Sequence, residues 1–523
     1  DYQIKSLENL LKFLSIYYKN YNDDANKLKE QLKEYYLENS IKEEYFEELE
    51  INKERKPELF EIAKWYYPIS QDDKISYVNF LNRCSFWMAT GSGKTLVIVK
   101  LIYILKKLMD RQTIPKGGIL FLTYRDDLLK SFEKYVNEFN ENSEIKITLK
   151  SLKEAGNQQI LLEEKSIVIY YYKSTNIVNE TGKVLLDFKR YENNGEWYII
   201  LDEAHKGEKE KSKSQLIYSI MSRNRFLFNF SATFTDPSDI ATTVYNISFP
   251  EYIKRGYGKI IIPIDTIEGF KKTDKEFENK EHIREFNILK NLVLLSALKE
   301  ALKLVRSENS SLQYHNPLMV LYTNTVSLAG NKENEQKIRS DLYNVFVSLA
   351  NIANPGNSEV KKLFELAKEE VEKLLKEKEI RKQIIPELNK NASVVEDFDY
   401  DKFIGYISKL VNKLDSFEKI LESVYNSKSP GTIEFSILES KNKEGEGEIA
   451  LSLKTGISGS GKPFALIKIG NENAKTWKKF LMEAGYEVSK TPLDTSSFAK
   501  LNQEESPINI LLGSRVFFEG WDS

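Results

Sequence analysis

Trp87-Met88-Ala89-Thr90-Gly91-Ser92-Gly93-Lys94-Thr95 reads as the end of a buried strand, a glycine turn and the start of a long apolar helix. Cys84 to Met88 supply the strand, and Leu96 to about Leu108 supply the helix. The stretch has the form of a phosphate-binding loop. Gly91 and Gly93 let backbone N–H groups curl around phosphate oxygens where a Cβ would obstruct them, with Thr90 and Ser92 completing the cradle. Lys94 is placed to reach the β and γ phosphates of a nucleotide, and the Thr95 hydroxyl to take a position on Mg²⁺. The helix N-terminus turns its positive dipole end to the same anion. Met88 stands where the strict pattern has its first glycine, so the strand, turn and helix context carries the assignment. A second run, Gly456-Ile457-Ser458-Gly459-Ser460-Gly461-Lys462-Pro463, fits the spacing better but ends in Pro where Ser or Thr must bind the metal. It reads as a flexible turn between hairpin strands, with no helix to follow.

At 523 residues the chain is too long for one core, and about 150 residues per domain implies about three units. Hydrophobic content of 41% and charged content of 29% are those of an ordinary soluble protein. A net charge of -2 leaves room for a locally basic nucleic-acid track without requiring one. Cys84 is the only cysteine and there are three histidines, so a disulfide framework and a zinc-ligand spacing are both excluded. A reducing, cytoplasmic setting follows. No run of 18 uncharged apolar residues occurs, so no membrane span is expected. The chain opens on Asp1 rather than Met, which points to a natural N-terminus upstream.

In chain order, Tyr2 to Tyr18 predicts an apolar-periodic helix, and Asp23 to Lys64 a charged helical stretch broken at Pro57 and Pro68. Four more short apolar runs predict strands: Gly118–Thr123, Ile167–Tyr171, Trp197–Leu201 and Phe226–Phe230. Strands of this kind alternating with helices imply a parallel sheet, whose ligands bind at the strand C-terminal edge. A connector and a helix from about Lys280 to Val305 lead to a second unit that begins with the strand Leu318–Thr323. The pattern resumes at Ile508–Leu512. Between them, charged helices such as Val360–Glu377 and a β segment from Thr432 to Ile469 read as an insertion. The expected class is therefore α/β, with a helical insertion at about 22–80 and a mixed helical/β insertion at 355–505.

Asp202 and Glu203 close the strand Trp197–Leu201. Asp202 would hold Mg²⁺ through water, and Glu203 would polarise the attacking water as general base. His205 with Ser231-Ala232-Thr233 would form a polar network that senses the γ phosphate and couples its loss to movement.

In this order the motifs resemble those of superfamily 2 helicases and translocases with the Asp-Glu-Ala-His signature. Met88 to Thr95 and Phe518-Glu519-Gly520-Trp521-Asp522 further resemble the restriction (Res) subunits of type III restriction-modification systems. The resemblance implies two RecA-like domains, at 1–253 and at 254–354 with 506–523. It also implies ATP and Mg²⁺, and duplex DNA as the track. By the same resemblance Gln3 reads the adenine base, with Gln71 as a rival, and Gly520 and Asp522 close over the nucleotide. Backbone contacts fall on Thr123, Tyr124 and Arg125, on Tyr172, Lys173 and Ser174, and on Tyr322 and Thr323. A separate methyltransferase or specificity subunit would choose the target. The family's arginine-bearing motif and any nuclease domain are expected beyond Ser523, and no endonuclease site is assigned to these residues. An RNA helicase or remodeller with the same motor, and a non-hydrolysing ATP-dependent clamp, stand as alternatives.

Overall fold

The computed structural model describes residues 2–513 apart from 21, 23, 52, 55, 125, 156–165, 175–187, 205–210, 256, 258–281, 309–314, 323–340, 355, 357, 377–399, 441–446, 457–458, 469–476, 483–484 and 494–495. Two compact units divide at Ile260 and Ile261.

The first unit is built on a seven-stranded parallel sheet. A two-residue antiparallel pair, β1 (Leu49–Glu50) with β2 (Lys74–Ile75), precedes it in the chain. The sheet strands are β3 (Arg83–Met88), β4 (Gly118–Thr123), β5 (Lys146–Ser151), β6 (Ser166–Lys173), β7 (Trp197–Asp202), β8 (Phe226–Ser231) and β9 (Thr243–Ile247). Their order across the sheet is β5-β6-β4-β7-β8-β3-β9. β4, β7 and β8 are buried at every residue, as strands covered on both faces must be, which explains why they read as unbroken apolar runs. β5 and β9 escape sequence inspection because they are edge strands with mixed polarity.

The helices follow the same logic. α1 (Tyr2–Tyr17) turns Leu10, Leu14 and Tyr17 inward against β9 and α4 (Lys94–Asp110). The charged stretch resolves into α2 (Ala25–Glu38) and α3 (Pro57–Tyr66) rather than one long helix. Asp24 caps α2 by accepting from Asn26 N and Lys27 N, and Pro57 opens α3 where a missing N–H costs nothing. α5 (Asp126–Glu141) packs back on α4 and on β4.

The second unit carries a six-stranded sheet of order β10-β15-β13-β12-β11-β14. Its strands are β10 (Met319–Tyr322), β11 (Thr432–Ser440), β12 (Glu448–Thr455), β13 (Gly459–Lys468), β14 (Val488–Leu493) and β15 (Ile510–Gly513). β15 pairs in parallel with β10 on one side and β13 on the other, while β11, β12 and β13 are antiparallel. Sequence alone sets 355–505 apart, yet four strands from that stretch share the sheet of β10 and β15. The glycine run 456–463 is a turn only at its start. From Gly459 onward it is strand, because Ser460 and Pro463 pair with Lys454 and Ser452.

The helix Ile283–Glu308 packs on the helices Asp341–Ala353, Val360–Lys376, Tyr400–Asn412 and Phe417–Val424. Glu448 is fully buried but paired: it accepts from Lys468 Nζ (2.8 Å), Ser497 N (3.0 Å), Phe498 N (3.2 Å) and the Ser496 hydroxyl. Those four donors offset the cost of taking a carboxylate out of water. No helix among the described residues is long and apolar enough to cross a membrane.

Candidate functional site

The loop after β3 takes the conformation that its glycines allow. Gly91 and Gly93 have φ of 79° and 77°, a left-handed region that penalises any side chain with a Cβ. At Gly93 a Cβ would also overlap the Gln3 amide, which would have to swing away. Gly93 caps α4 without a side-chain hydrogen bond. The first-turn N–H groups of α4 therefore face an anion site of the kind that helix N-termini provide. The Ser92 hydroxyl is buried and has no hydrogen-bond partner.

The outer side of the loop is pinned by its carbonyls. Tyr2 Oη and Gln3 Nε2 donate to Ser92 O at 2.8 and 3.0 Å, and Tyr252 Oη donates to Gly91 O at 3.0 Å. Tyr2, Tyr252 and Tyr257 pack together, their ring centroids 4.8 to 6.0 Å apart. Burial first, and then Tyr252 beside it, push the Tyr2 phenol up to about 12, so it stays a donor at any physiological pH. Gln3 thus sits at the loop, whereas Gln71 lies in an exposed turn before β2. Tyr252 and Tyr257 carry no motif spacing.

Lys94 and Glu203 meet at the C-terminal edge of the sheet. Lys94 Nζ is 3.9 Å from Glu203 Oε1 and 3.4 Å from Met88 O, with the two side chains 11% and 20% exposed. Asp202, the last residue of β7, is buried and accepts from Glu203 N at 3.0 Å. Glu203 has φ of 57°. A left-handed glutamate costs about 1 kcal/mol or more, and strain of this kind collects where geometry serves a task. Thr95, one residue into α4, is partly buried. Thr95 and Asp202 are the residues that could hold a divalent cation.

Ser231-Ala232-Thr233 ends β8, next to β3 in the sheet. The Ser231 hydroxyl accepts from Thr233 N (3.0 Å) and donates to Thr233 O (2.7 Å), which folds a local turn. Trp87 ties the two strand ends together, its indole N–H donating to Ala232 O at 3.0 Å. That link was not expected from sequence.

The expected backbone contacts divide. Tyr124 and Lys173 are partly exposed at the ends of β4 and β6. Thr123 and Ser174 are buried, and the Tyr172 ring lies in the hydrophobic core, so Tyr172 is a packing residue. The alternation of β6 turns it inward. In the second unit Tyr322 is 37% exposed on β10. His205, Arg125, Thr323, Gly520 and Asp522 lie outside the described residues.

Residues 1–236 match the sequence family described as type III restriction enzyme, res subunit. This stretch is similar to that family. The Res-like match ends before β9, so Tyr252 and Tyr257 lie beyond it. A solved structure described as the UvsW helicase from bacteriophage T4 matches at 13% identity over 41% of this chain and 77% of that chain, with a TM-score of 0.21. The chain matches no curated protein.

Proposed function

We propose that the chain is a nucleic-acid-dependent ATPase motor, with residues 1–253 as its ATP-binding RecA-like domain and the second sheet as part of a further RecA-like domain. The observation that carries this is the meeting of Lys94 with Glu203 at one sheet edge, between an uncapped helix N-terminus and the buried Asp202. These groups fit a nucleoside triphosphate with a divalent cation: uncapped N–H groups, an ammonium and the partnerless Ser92 hydroxyl for the phosphates, and Thr95 and Asp202 for the metal. The cation, when bound, neutralises charge on the phosphate oxygens. Lys94 binds the terminal phosphates, Glu203 orients and deprotonates water, and Gln3 faces the base side with the tyrosines.

Tyr252→Phe tests the outer clasp. Removing the hydroxyl loses a hydrogen bond worth about 0.5–1.5 kcal/mol, so the expected result is a few-fold rise in KM for ATP with kcat little changed. An equal fall in kcat would mean that the hydroxyl does more than position the loop.

In the finer reading the motor tracks along duplex DNA as part of a type III-like restriction system, its target chosen by a methyltransferase subunit. Tyr124 and Lys173 at the sheet edge, together with Arg125, are the residues expected to grip the backbone. The experiment is ATP turnover with duplex DNA, single-stranded DNA, structured RNA or no nucleic acid. Stimulation by duplex DNA that weakens steeply with salt supports this reading. Stimulation by RNA alone would replace it with an RNA helicase or remodeller.

A further inference from the structure

The turn that feeds β7 lies one strand length, about 20 Å, from the edge that holds Lys94 and Glu203. Its shape is fixed from several sides. Asn193, Asn194 and Gly195 have φ of 50°, 52° and 74°, and a Cβ on Gly195 would meet the Arg223 side chain. The Trp197 indole N–H donates to Tyr191 O at 2.7 Å, and Asn224 Nδ2 donates to Asn194 O at 2.7 Å. Residues 189–192 are thereby held against the end of α3, and two contacts join them. Lys189 Nζ lies over the Trp65 ring, 5.4 Å from its centroid. Beside it, Arg223 pairs with Glu192 and stacks on the Tyr66 ring at 4.9 Å. Arg190 lies 5.8 Å from the Tyr191 ring.

Trp65 is 78% exposed, more than any other large apolar side chain among the described residues. The same helix turns Leu59, Phe60 and Ala63 into the core, so packing gives no account of the indole. The surroundings decide what it fits. The core of a protein interface is depleted of Lys and draws on several apolar side chains together. Among the described residues, no second exposed large apolar side chain lies on α3, on 189–192 or on 222–225. The exposed neighbours are charged instead: Lys64, Lys189 and Arg190, against Glu61 one turn back on α3. Glu192 is already committed to Arg223. An open aromatic plane amid net positive charge matches a single nucleic-acid strand, whose bases stack on aromatic rings while Lys and Arg meet its phosphates. Bases within a duplex are stacked on one another and offer no free face.

We propose that Trp65, with Lys64, Lys189 and Arg190, binds single-stranded nucleic acid, one base stacking on the indole and the flanking phosphates pairing with the cations. This surface lies at the opposite sheet edge from Tyr124 and Lys173, and it stands whether or not the chain hydrolyses ATP.

The test follows the indole emission of the full chain as single-stranded oligothymidylate is added, with no nucleotide present. Saturable quenching that weakens as salt rises is expected, and Trp65→Phe should remove it. Lys189→Glu keeps the indole and should move the quenching midpoint about two- to tenfold higher in oligonucleotide. Both side chains are exposed, so neither change should disturb the fold. No quenching, quenching of equal amplitude in Trp65→Phe, or an unmoved midpoint in Lys189→Glu overturns the proposal. So does equal quenching by a duplex of the same length, or by polyglutamate, which would mean that charge alone is recognised.

Discussion

Lys94→Ala is expected to lower ATP turnover by about 10²- to 10³-fold, the scale on which a single preorganised donor to developing charge acts. The ammonium lies at the mouth of an uncapped helix, 3.9 Å from the carboxylate expected to act on water. It is the one side chain placed to bring full positive charge to the terminal phosphates from inside the loop. Nucleotide affinity should fall with it, because the same charge acts on the bound ground state. Circular dichroism should be unchanged, since Lys94 opens α4 and alanine is a good helix former there. Turnover within about threefold of the unaltered chain would remove the glycine loop from the chemistry and leave the proposed function without its main support.

Glu203→Gln separates binding from chemistry. The side chain keeps its size while losing its charge and basicity, so a fall of about 10²- to 10⁴-fold in turnover is expected, as for other general bases. ATP affinity should be retained or tightened, because the negative charge beside the phosphates is gone. The backbone strain at φ 57° stays in both forms, so stability should change little. Loss of turnover and binding together would mean that Glu203 supports the loop through Lys94 instead of acting on water. Full turnover in the glutamine form would place the base elsewhere.

The core of the first unit is legible in sequence because its strands are covered on both faces. β4, β7 and β8 are unbroken apolar runs, and each is followed by the polar residues that the sheet edge displays. β5 and β9 are not legible, since an edge strand needs apolar residues on one side only. Tyr172 shows the limit at the site itself. A tyrosine at a strand end reads as a polar contact, and only the register of β6 shows its ring turned into the core. The clasp of Tyr2, Gln3 and Tyr252 on the loop carbonyls joins residues 89 to 161 positions apart, and no local pattern encodes such a pairing.

By itself the amino-acid order determined the glycine loop, the acidic strand end and the sheet type of the first unit, because each depends on local φ/ψ freedom or on the period of burial. Tertiary structure alone decided two further features. It brought the tyrosines to the loop, and joined β11 to β14 with β15 in one sheet. Those depend on which strand edges and side chains meet after the chain has closed long loops, and such contacts leave no trace in any window of sequence.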